Sequence, residues 1–253
     1  MLSEERRRKI LELVQNDGRV LVTDLARRFS SSLITIRKDL EHLHREGRIQ
    51  RAHGGALPVE SAALKDLALR EKERLHRREK LRIASAAAKL VRPGQVVILD
   101  SGTTTTAVAR SLRHVRGLTV ITNAVNIAAE FAGTEVEVVL SGGILRKNSF
   151  SLVGPLAEES LRQITADLLF LAVDGFDVTF GLTTPNQLEA KVNRVMMESA
   201  KRIVVVCDSS KFGRRSLALI APTADVHEVI TDRGISTKDA HRLKKTGVKV
   251  VAV

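Results

Sequence analysis

Apolar residues follow two different spacings along the chain. Up to about residue 58 they recur every three or four positions, as between Leu33 and Leu43, which predicts amphipathic helices. From Val96 onward, short branched runs such as VVIL alternate with helical patterns, which is typical of a mainly parallel sheet covered on both faces. The pattern therefore predicts a small helical domain followed by a larger α/β domain.

The first region is predicted to hold three short helices. Ser3 can cap a helix that runs to about Asp17, after which a glycine provides a stop signal. Thr23 can cap a second helix, DLARRF, and Ser32 can cap a third, LITIRKDLEHLHREG, which Gly47 ends. The apolar residues of the third helix lie three and four positions apart, so we expect it to bury one face and to expose the other.

Hydroxyl and basic side chains lie at the exposed start of the third helix and on the stretch RIQRAHGGA, which is predicted to form the two short arms of a β-wing. Two helices joined by a tight turn and followed by a basic ribbon are typical of a winged helix-turn-helix that reads double-stranded DNA. A plain three-helix bundle with solvated charges is the alternative. The start of the third helix would enter the major groove, and the wing would lie along the backbone or the minor groove. The predicted DNA contacts are Ser32, Thr35, Arg37, Lys38, Arg51 and His53.

A charged stretch without glycine or proline separates the two regions after residue 58. Its composition favours a helical or extended connector over a flexible linker. We therefore expect a winged helix-turn-helix domain over residues 1–58, a connector over 59–76 and an α/β domain over 77–253.

Seven apolar runs in the second region are candidate strands, and polar residues follow five of them. The runs cover residues 96–99, 118–122, 136–140, 168–173, 203–207, 228–231 and 249–253. The first five are followed by DSGTTT, TN, SGG, DGFD and DSSKFG. Because ligands bind beyond the carboxyl ends of the strands in open α/β sheets, these loops predict a pocket.

The stretch DSGTTTT joins the first of these strands to a helical pattern. Backbone N–H groups at such a junction converge at the positive end of the helix dipole, which favours an anion. An ordinary turn with a threonine N-cap would look the same in isolation. The repeated polar strand ends, with Lys211 as a counter-charge, favour a phosphorylated small ligand.

The amino-acid composition limits the classes of binding partner and the cellular compartment that we expect for this protein. The formal net charge of +12 gives weak support to a polyanionic partner, and an aromatic content of 3% argues against stacking on single-stranded bases. The single cysteine, Cys207, cannot pair within the chain, and no apolar stretch approaches about 20 residues. We expect a cytoplasmic protein with no membrane span and no export signal.

The chain resembles the DeoR family of bacterial sugar-operon repressors over nearly its whole length. The matching motifs are TIRKDL and RAHGGA in the first region, and LDSGTT, ITN, SGG, LVGPLAE, VDGFD, LEA and DSSKFG in the second. The sequence departs from the family pattern at Ser30 and Ser31, where relatives tend to carry glycine and an apolar residue, and at Leu33 and Ile34, which are often polar in relatives.

The resemblance implies a winged helix-turn-helix joined to an α/β sensor domain similar to ribose-phosphate isomerases and CoA transferases. It implies a repressor that needs no cofactor or metal, forms a homodimer or homotetramer, and is released from its operator by a phosphorylated sugar. Motifs in the second half most resemble repressors of N-acetylgalactosamine and galactosamine catabolism, so a galactosamine or tagatose phosphate is the expected effector. The implied phosphate loop is Ser101, Gly102, Thr103, Thr104 and Thr105, with Asp100 at its base, and the implied sugar pocket is Asn123, Gly142, Gly143, Asp174, Glu189 and Lys211.

A sugar-phosphate isomerase fused to a DNA-binding domain is the alternative. Such isomerases pair an acidic DG-x-D stretch with a lysine in a following glycine-rich run, and the corresponding run here, GLTTPNQLEA, has no lysine. Glu189 remains as a possible base, but a base without an electrophilic partner contributes little. The sequence therefore favours a binding domain over an enzyme.

Overall fold

The chain forms two compact units, Met1–Lys65 and Asp66–Val253. The computed structural model describes residues 3–17, 20–52, 54–58 and 66–253. Of the predicted connector, residues 59–65 lie outside the described part, and residues 66–76 belong to the C-terminal unit. The predicted domain limits at 58 and 76 stay predictions.

The N-terminal unit is built from helices packed on a small antiparallel sheet with strand order β1-β3-β2. Apolar side chains of all three helices meet in one core, which includes Ile10, Leu25, Ile36, Leu40 and Ile49. The elements are α1 (Ser3–Asp17), β1 (Val20–Leu21), α2 (Val22–Arg28), α3 (Leu33–Arg45), β2 (Ile49–Ala52) and β3 (Gly55–Pro58).

Two of the predicted helix caps have different outcomes. The Oγ atom of Ser32 accepts a hydrogen bond from the backbone N–H of Thr35 at 3.1 Å, so the cap of α3 is confirmed. The prediction for Thr23 is wrong, because α2 begins at Val22, two residues before the predicted start, and Leu21 is its N-cap. Strand β1 runs directly into α2, and the N–H of Val22 donates to the carbonyl of Gly54 in the turn between β2 and β3, at 2.8 Å. The first N–H group of α2 is therefore satisfied by a backbone carbonyl of the wing and not by a capping side chain.

The turn between α2 and α3 places Ser30 in the left-handed region, with a φ of 47°. A residue with a Cβ atom is strained there, and glycine is not. We expect Ser30→Gly to raise the free energy of unfolding of the N-terminal unit by about 1 kcal/mol. Hydrogen exchange of α3 amides in the full-length protein measures the change.

Ser31→Gly is the matched control for this prediction. The φ of Ser31 is not positive, and its hydroxyl donates to the carbonyl of Phe29 at 3.0 Å, so glycine should destabilise this position. Equal effects of the two substitutions would contradict the assignment of strain to Ser30.

The C-terminal unit contains seven α-helices and two short 3-10 helices, Ser209–Lys211 and Thr223–Asp225, counted over residues 66–253, all of which the structure describes. Helices α5, α6 and α7 supply the core on one face of the large sheet, and α8, α9 and α10 supply the core on the other. The helices are α4 (Leu69–Arg74), α5 (Arg77–Ala88), α6 (Thr103–Leu112), α7 (Val125–Glu130), α8 (Pro155–Arg162), α9 (Gln187–Glu198) and α10 (Thr237–Lys245).

The strands of the C-terminal unit form one large parallel sheet and two small antiparallel ones. They are β4 (Val96–Leu99), β5 (Thr119–Thr122), β6 (Glu137–Leu140), β7 (Ile144–Arg146), β8 (Ser151–Val153), β9 (Leu168–Leu171), β10 (Gly175–Asp177), β11 (Gly181–Thr184), β12 (Ile203–Val206), β13 (Ala218–Ala221), β14 (Glu228–Thr231) and β15 (Lys249–Ala252). The large sheet has the order β15-β14-β12-β9-β4-β5-β6, and every neighbouring pair is parallel. These are the seven strands that the apolar runs predict, and the predicted mainly parallel sheet is confirmed.

Five short strands of the C-terminal unit were not predicted from the sequence, and neither was β1 of the N-terminal unit. Strands β7 and β8 form a hairpin, and β10, β11 and β13 form an antiparallel sheet of their own. Strands β7, β8, β10 and β11 have three or four residues and contain polar or glycine residues, so they lack the apolar run that reveals a buried strand. Strand β13 is an apolar run of four residues that the sequence analysis did not include. Among the described residues, no helix has the length and hydropathy that crossing a membrane requires.

Candidate functional site

Asp100 joins the carboxyl ends of β4 and β9. Its side chain is 1% exposed; Oδ1 accepts from the N–H of Ser101 at 2.6 Å, and Oδ2 accepts from the N–H of Ala172 at 3.2 Å. Burial, and next the negative charge of Glu189, hold the pKa of Asp100 well above its usual range. Asp100 thus fixes the base of the loop that follows it.

The loop after Asp100 opens helix α6 without a side-chain cap, with Gly102 at the N-cap position. The hydroxyls of Thr105 and Thr106 donate back to the carbonyl of Gly102, at 3.0 and 2.6 Å. The hydroxyls of Thr103 and Thr104 make no hydrogen bond within the described chain; Thr103 is half-buried and Thr104 is buried. The first-turn N–H groups and these two hydroxyls are therefore without a partner at the positive end of the helix dipole, where an anion is favoured.

Asn123 lies at the end of β5 and is fully buried. Its Nδ2 donates to the carbonyl of Leu152 on β8 at 3.1 Å, and its Oδ1 has no hydrogen-bond partner. Next to it, the hydroxyl of Thr122 donates to the carbonyl of Leu99 at 2.7 Å. Asn123 thus braces the β7–β8 hairpin against the large sheet behind the predicted pocket.

Gly142 and Gly143 turn the chain from β6 into the β7–β8 hairpin. Their φ angles are 72° and 116°, which glycine adopts without strain. A Cβ atom on Gly143 would lie 2.7 Å from the carbonyl oxygen of Val153, so only glycine lets the hairpin close here. These two residues shape the site through the backbone and bring Arg146, at the end of β7, to it.

Glu189, in the first turn of α9, accepts three hydrogen bonds. Its Oε1 lies 2.5 Å from Nη1 of Arg146 and 2.9 Å from Oγ of Ser151, and its Oε2 lies 3.3 Å from Oγ1 of Thr184. The other terminal nitrogen of Arg146, Nη2, lies 2.5 Å from Oδ2 of Asp66. Arg146 is thus held between two carboxylates, one at each terminal nitrogen.

Asp174 follows β9 and pairs with two lysines. Its Oδ1 lies 2.7 Å from Nζ of Lys72 on α4 and 3.9 Å from Nζ of Lys211, which follows β12. With Arg146, these lysines place three cations and three carboxylates near one edge of the large sheet. Within the part of the chain that the structure describes, no group of three or more histidine, cysteine, aspartate and glutamate residues is arranged to hold a metal ion.

Two of these cations were not found from the sequence. Arg146 lies in a hairpin without an apolar run. Lys72 is one of seven Lys or Arg residues among the thirteen residues from 70 to 82, so nothing in the sequence sets it apart. The SGG turn was the only local signal for Arg146, since it redirects the chain toward the pocket.

Lys80, on α5, holds the end of α4. Its Nζ donates to the carbonyl of Lys72 at 2.5 Å and to that of Leu75 at 2.6 Å. The side chain is buried, which lowers the pKa of Lys80 to about 8. Two carbonyls at the end of α4 are therefore satisfied by an ammonium group, as helix C-termini favour.

In the N-terminal unit, four of the predicted DNA contacts lie at the start of α3: Ser32, Thr35, Arg37 and Lys38. The hydroxyls of Ser32 and Thr35 lie 2.8 Å apart, and the side chains of Arg37 and Lys38 are exposed. They are thus accessible to a ligand, as contact with a groove requires.

The wing residue Arg51 folds back on α3. Its Nη1 lies 3.3 Å from the carbonyl of Arg37 and 3.5 Å from Oε2 of Glu41, while its Nε is buried without a partner. Arg51 therefore links β2 to the exposed start of α3. His53 lies outside the described residues.

Two family models match the chain. The model described as a DeoR-like helix-turn-helix domain matches residues 6–62, and the model described as the DeoR C terminal sensor domain matches residues 75–233. The chain belongs to the DeoR family. The predicted resemblance and the predicted fold class, a helix-turn-helix domain with an α/β sensor domain, are confirmed.

Relatives of this DeoR-family protein match over nearly their full length. A protein of Escherichia coli O157:H7 named "Putative aga operon transcriptional repressor" is 41% identical over 253 residues, which cover 99% of this chain and 94% of the relative. The transcriptional regulator GlpR of Haloferax volcanii is 39% identical over 251 residues, which cover 99% and 98%. The chain is thus a DeoR-type transcriptional regulator whose helix-turn-helix domain binds DNA.

Solved structures show a weaker likeness. Ribose 5-phosphate isomerase A of Methanocaldococcus jannaschii aligns with a TM-score of 0.39 and 20% identity over 53% of each chain. The sorbitol operon regulator SorC of Klebsiella pneumoniae aligns with a TM-score of 0.38 and 13% identity over 80% of this chain and 88% of SorC. Likenesses of this size carry no argument about function.

Proposed function

We propose that this DeoR-family regulator represses a carbohydrate-catabolism operon and leaves its operator when a phosphorylated sugar binds at the carboxyl ends of the large sheet. The observation that carries the proposal is the uncapped start of α6 at Gly102, next to Asp100. The carboxyl of Asp100 feels the charges of Glu189 and Asp174, which are the ion-pair partners of the cations Arg146, Lys72 and Lys211. N–H groups at a helix start together with nearby cations suit a phosphate that carries close to two negative charges.

A galactosamine or tagatose phosphate is the effector that we propose. The motifs of the second half resemble the galactosamine branch of the family, and a relative at 41% identity is named for the aga operon. The carboxylates of Asp174 and Glu189 suit the hydroxyl or amino groups of such a sugar.

A sensor without catalysis is proposed over an isomerase. Both oxygens of Glu189 are occupied by Arg146, Ser151 and Thr184, which hold the carboxylate in place. Named relatives of the chain are transcriptional regulators. Interconversion of aldose and ketose phosphates at about 1 s⁻¹ or faster, an ordinary enzymatic rate, would overturn this reading.

We propose that the operator DNA is contacted by Ser32, Thr35, Arg37, Lys38, Arg51 and His53. The start of α3 would enter the major groove, and a homodimer or homotetramer would bind repeated half-sites. The exposed Ile34 offers an apolar contact of the kind that thymine methyl groups accept.

An operator titration with and without sugar phosphate tests the proposal. Saturating galactosamine 6-phosphate or tagatose 6-phosphate should weaken operator binding between about 5- and 150-fold, the usual range of coupling between sites. Thr104→Val removes one of the two hydroxyls of the loop that have no partner and should need higher effector concentrations for the same release.

Ser111→Ala is the control, since it removes a hydroxyl from the same helix, where the group donates only to the carbonyl of Ala107. This variant should respond like the wild type. The phosphate-loop assignment is wrong if Thr104→Val also responds like the wild type, or if the unphosphorylated sugars release DNA equally well.

A further inference from the structure

Residues 66–75, here called the tether, begin the sensor unit and directly follow the DNA-binding unit in the chain. The tether includes α4 and is held to the rest of the sensor unit by several contacts. The N–H of Leu69 donates to the carbonyl of Asn148 at 2.7 Å, and Lys80 binds two tether carbonyls. Two sheltered ion pairs, Asp66–Arg146 and Lys72–Asp174, and the exposed pair Glu73–Arg110 also hold the tether.

The Asp66–Arg146 and Lys72–Asp174 pairs use charges of the candidate effector site. Arg146 also binds Glu189, and Asp174 also binds Lys211. The four side chains are between 9% and 23% exposed, so they are largely sheltered from solvent screening. The attachment of the tether and the charge balance of the site therefore depend on the same groups.

A phosphate group that enters this site must compete with carboxylates for its cations. Each terminal nitrogen of Arg146 already faces a carboxylate, so one partner has to leave before the guanidinium can bind a phosphate through both nitrogens. Asp66 is 24% exposed and Glu189 is 9% exposed, and Glu189 is also held by two hydroxyls. Asp66 is thus the partner that is easier to displace.

The same competition acts on Lys72. Its partner Asp174 has a second lysine close by, so the carboxylate keeps a counter-charge when Lys72 turns to a phosphate. An ammonium is a flexible point charge that changes partners readily.

We propose that Lys72 and Arg146 bind the phosphorylated effector in exchange for Asp174 and Asp66, so that occupancy loosens the tether from the sensor unit. This inference rests on the proposed function, because it assigns the residues that transmit the effector signal. The segment that changes is the one that continues into the DNA-binding unit.

Hydrogen exchange of the full-length protein tests the inference, with galactosamine 6-phosphate, tagatose 6-phosphate and inorganic phosphate as probes. A probe that binds should speed exchange several-fold in peptides from residues 66–75, where the amide of Leu69 reports the bond to Asn148, and should slow exchange in residues 101–106. Binding and operator release without faster exchange in the tether would overturn the inference and leave the proposed function intact. If no probe binds, the proposed function fails and the inference fails with it.

Three variants test the exchange of partners. Asp66→Asn removes the competitor for Arg146 and should tighten probe binding about 5- to 10-fold, while Lys72→Gln should weaken it about tenfold. Glu73→Gln is the matched control: it also neutralises an acid of the tether, but its partner Arg110 is exposed and is not among the cations assigned to the phosphate. The inference is wrong if Asp66→Asn and Glu73→Gln bind the probe with the same affinity.

Discussion

Gly102→Ala is expected to lower the affinity for a sugar-phosphate effector by about 10- to 100-fold and to leave operator binding at the wild-type level. A Cβ atom at position 102 would lie 2.6 Å from Cβ of Ala172 and 3.2 Å from Oγ1 of Thr105. Ala172 cannot rotate out of the way, because its Cβ is fixed to the backbone at the end of β9. The start of α6 must therefore move, and the N–H groups of the phosphate loop move with it.

The expected phenotype is a repressor that binds its operator and no longer responds to the sugar phosphate. Calorimetry with galactosamine 6-phosphate and tagatose 6-phosphate measures the loss of affinity, and an operator titration measures the retained DNA binding. Ala172→Gly in the same chain removes the shortest contact, so the double variant should recover part of the response. Full response of Gly102→Ala alone would contradict the role of this loop.

Asp39→Asn is expected to destabilise the DNA-binding unit by about 3 kcal/mol, as the loss of one partner from a buried ion pair does. Asp39 on α3 is 2% exposed; its Oδ2 lies 2.5 Å from Nε of Arg6, and its Oδ1 lies 2.9 Å from Nε of Arg7. Asparagine removes the negative charge between two arginines and turns a donor toward one of them. A unit of this size has only a few kcal/mol of stability, so operator binding should fall with it.

Hydrogen exchange of peptides from α3 in the full-length protein measures this loss, and peptides from the large sheet should exchange as in the wild type. Asp24→Asn is the matched control, because its pair with Arg27 is exposed and such pairs contribute at most about 1 kcal/mol. If Asp39→Asn were no less stable than Asp24→Asn, α3 would not depend on its contacts with α1 through Asp39.

The sequence alone was sufficient for the parts of the fold whose signal is local. The inner strands of the large sheet, such as β4, β9 and β12, are apolar runs buried on both faces, as Val97 and Ile98 show by packing into opposite cores, whereas the edge strands β6 and β15 are largely exposed. Such a run is recognisable without its neighbours, and so are the amphipathic spacing of α3 and its Ser32 cap. The family motifs added the residues at the strand ends, of which Asp100, Asp174, Glu189 and Lys211 lie in one buried or half-buried charged cluster.

Only the tertiary structure decided which charges meet at this cluster. Arg146 and Asp66 are 80 residues apart, and Lys72 lies about a hundred residues from Asp174. The strand order and the hairpin β7–β8 bring them together, and neither leaves a periodic trace in the sequence. The start of α2 could not be located from the sequence for the same reason, because the N–H of Val22 donates to the carbonyl of Gly54, 32 residues away in the chain. A local sequence pattern reports whether a residue is buried and whether it lies in a helix or a strand. The partner of a buried charge comes from a distant part of the chain, so it depends on the tertiary topology.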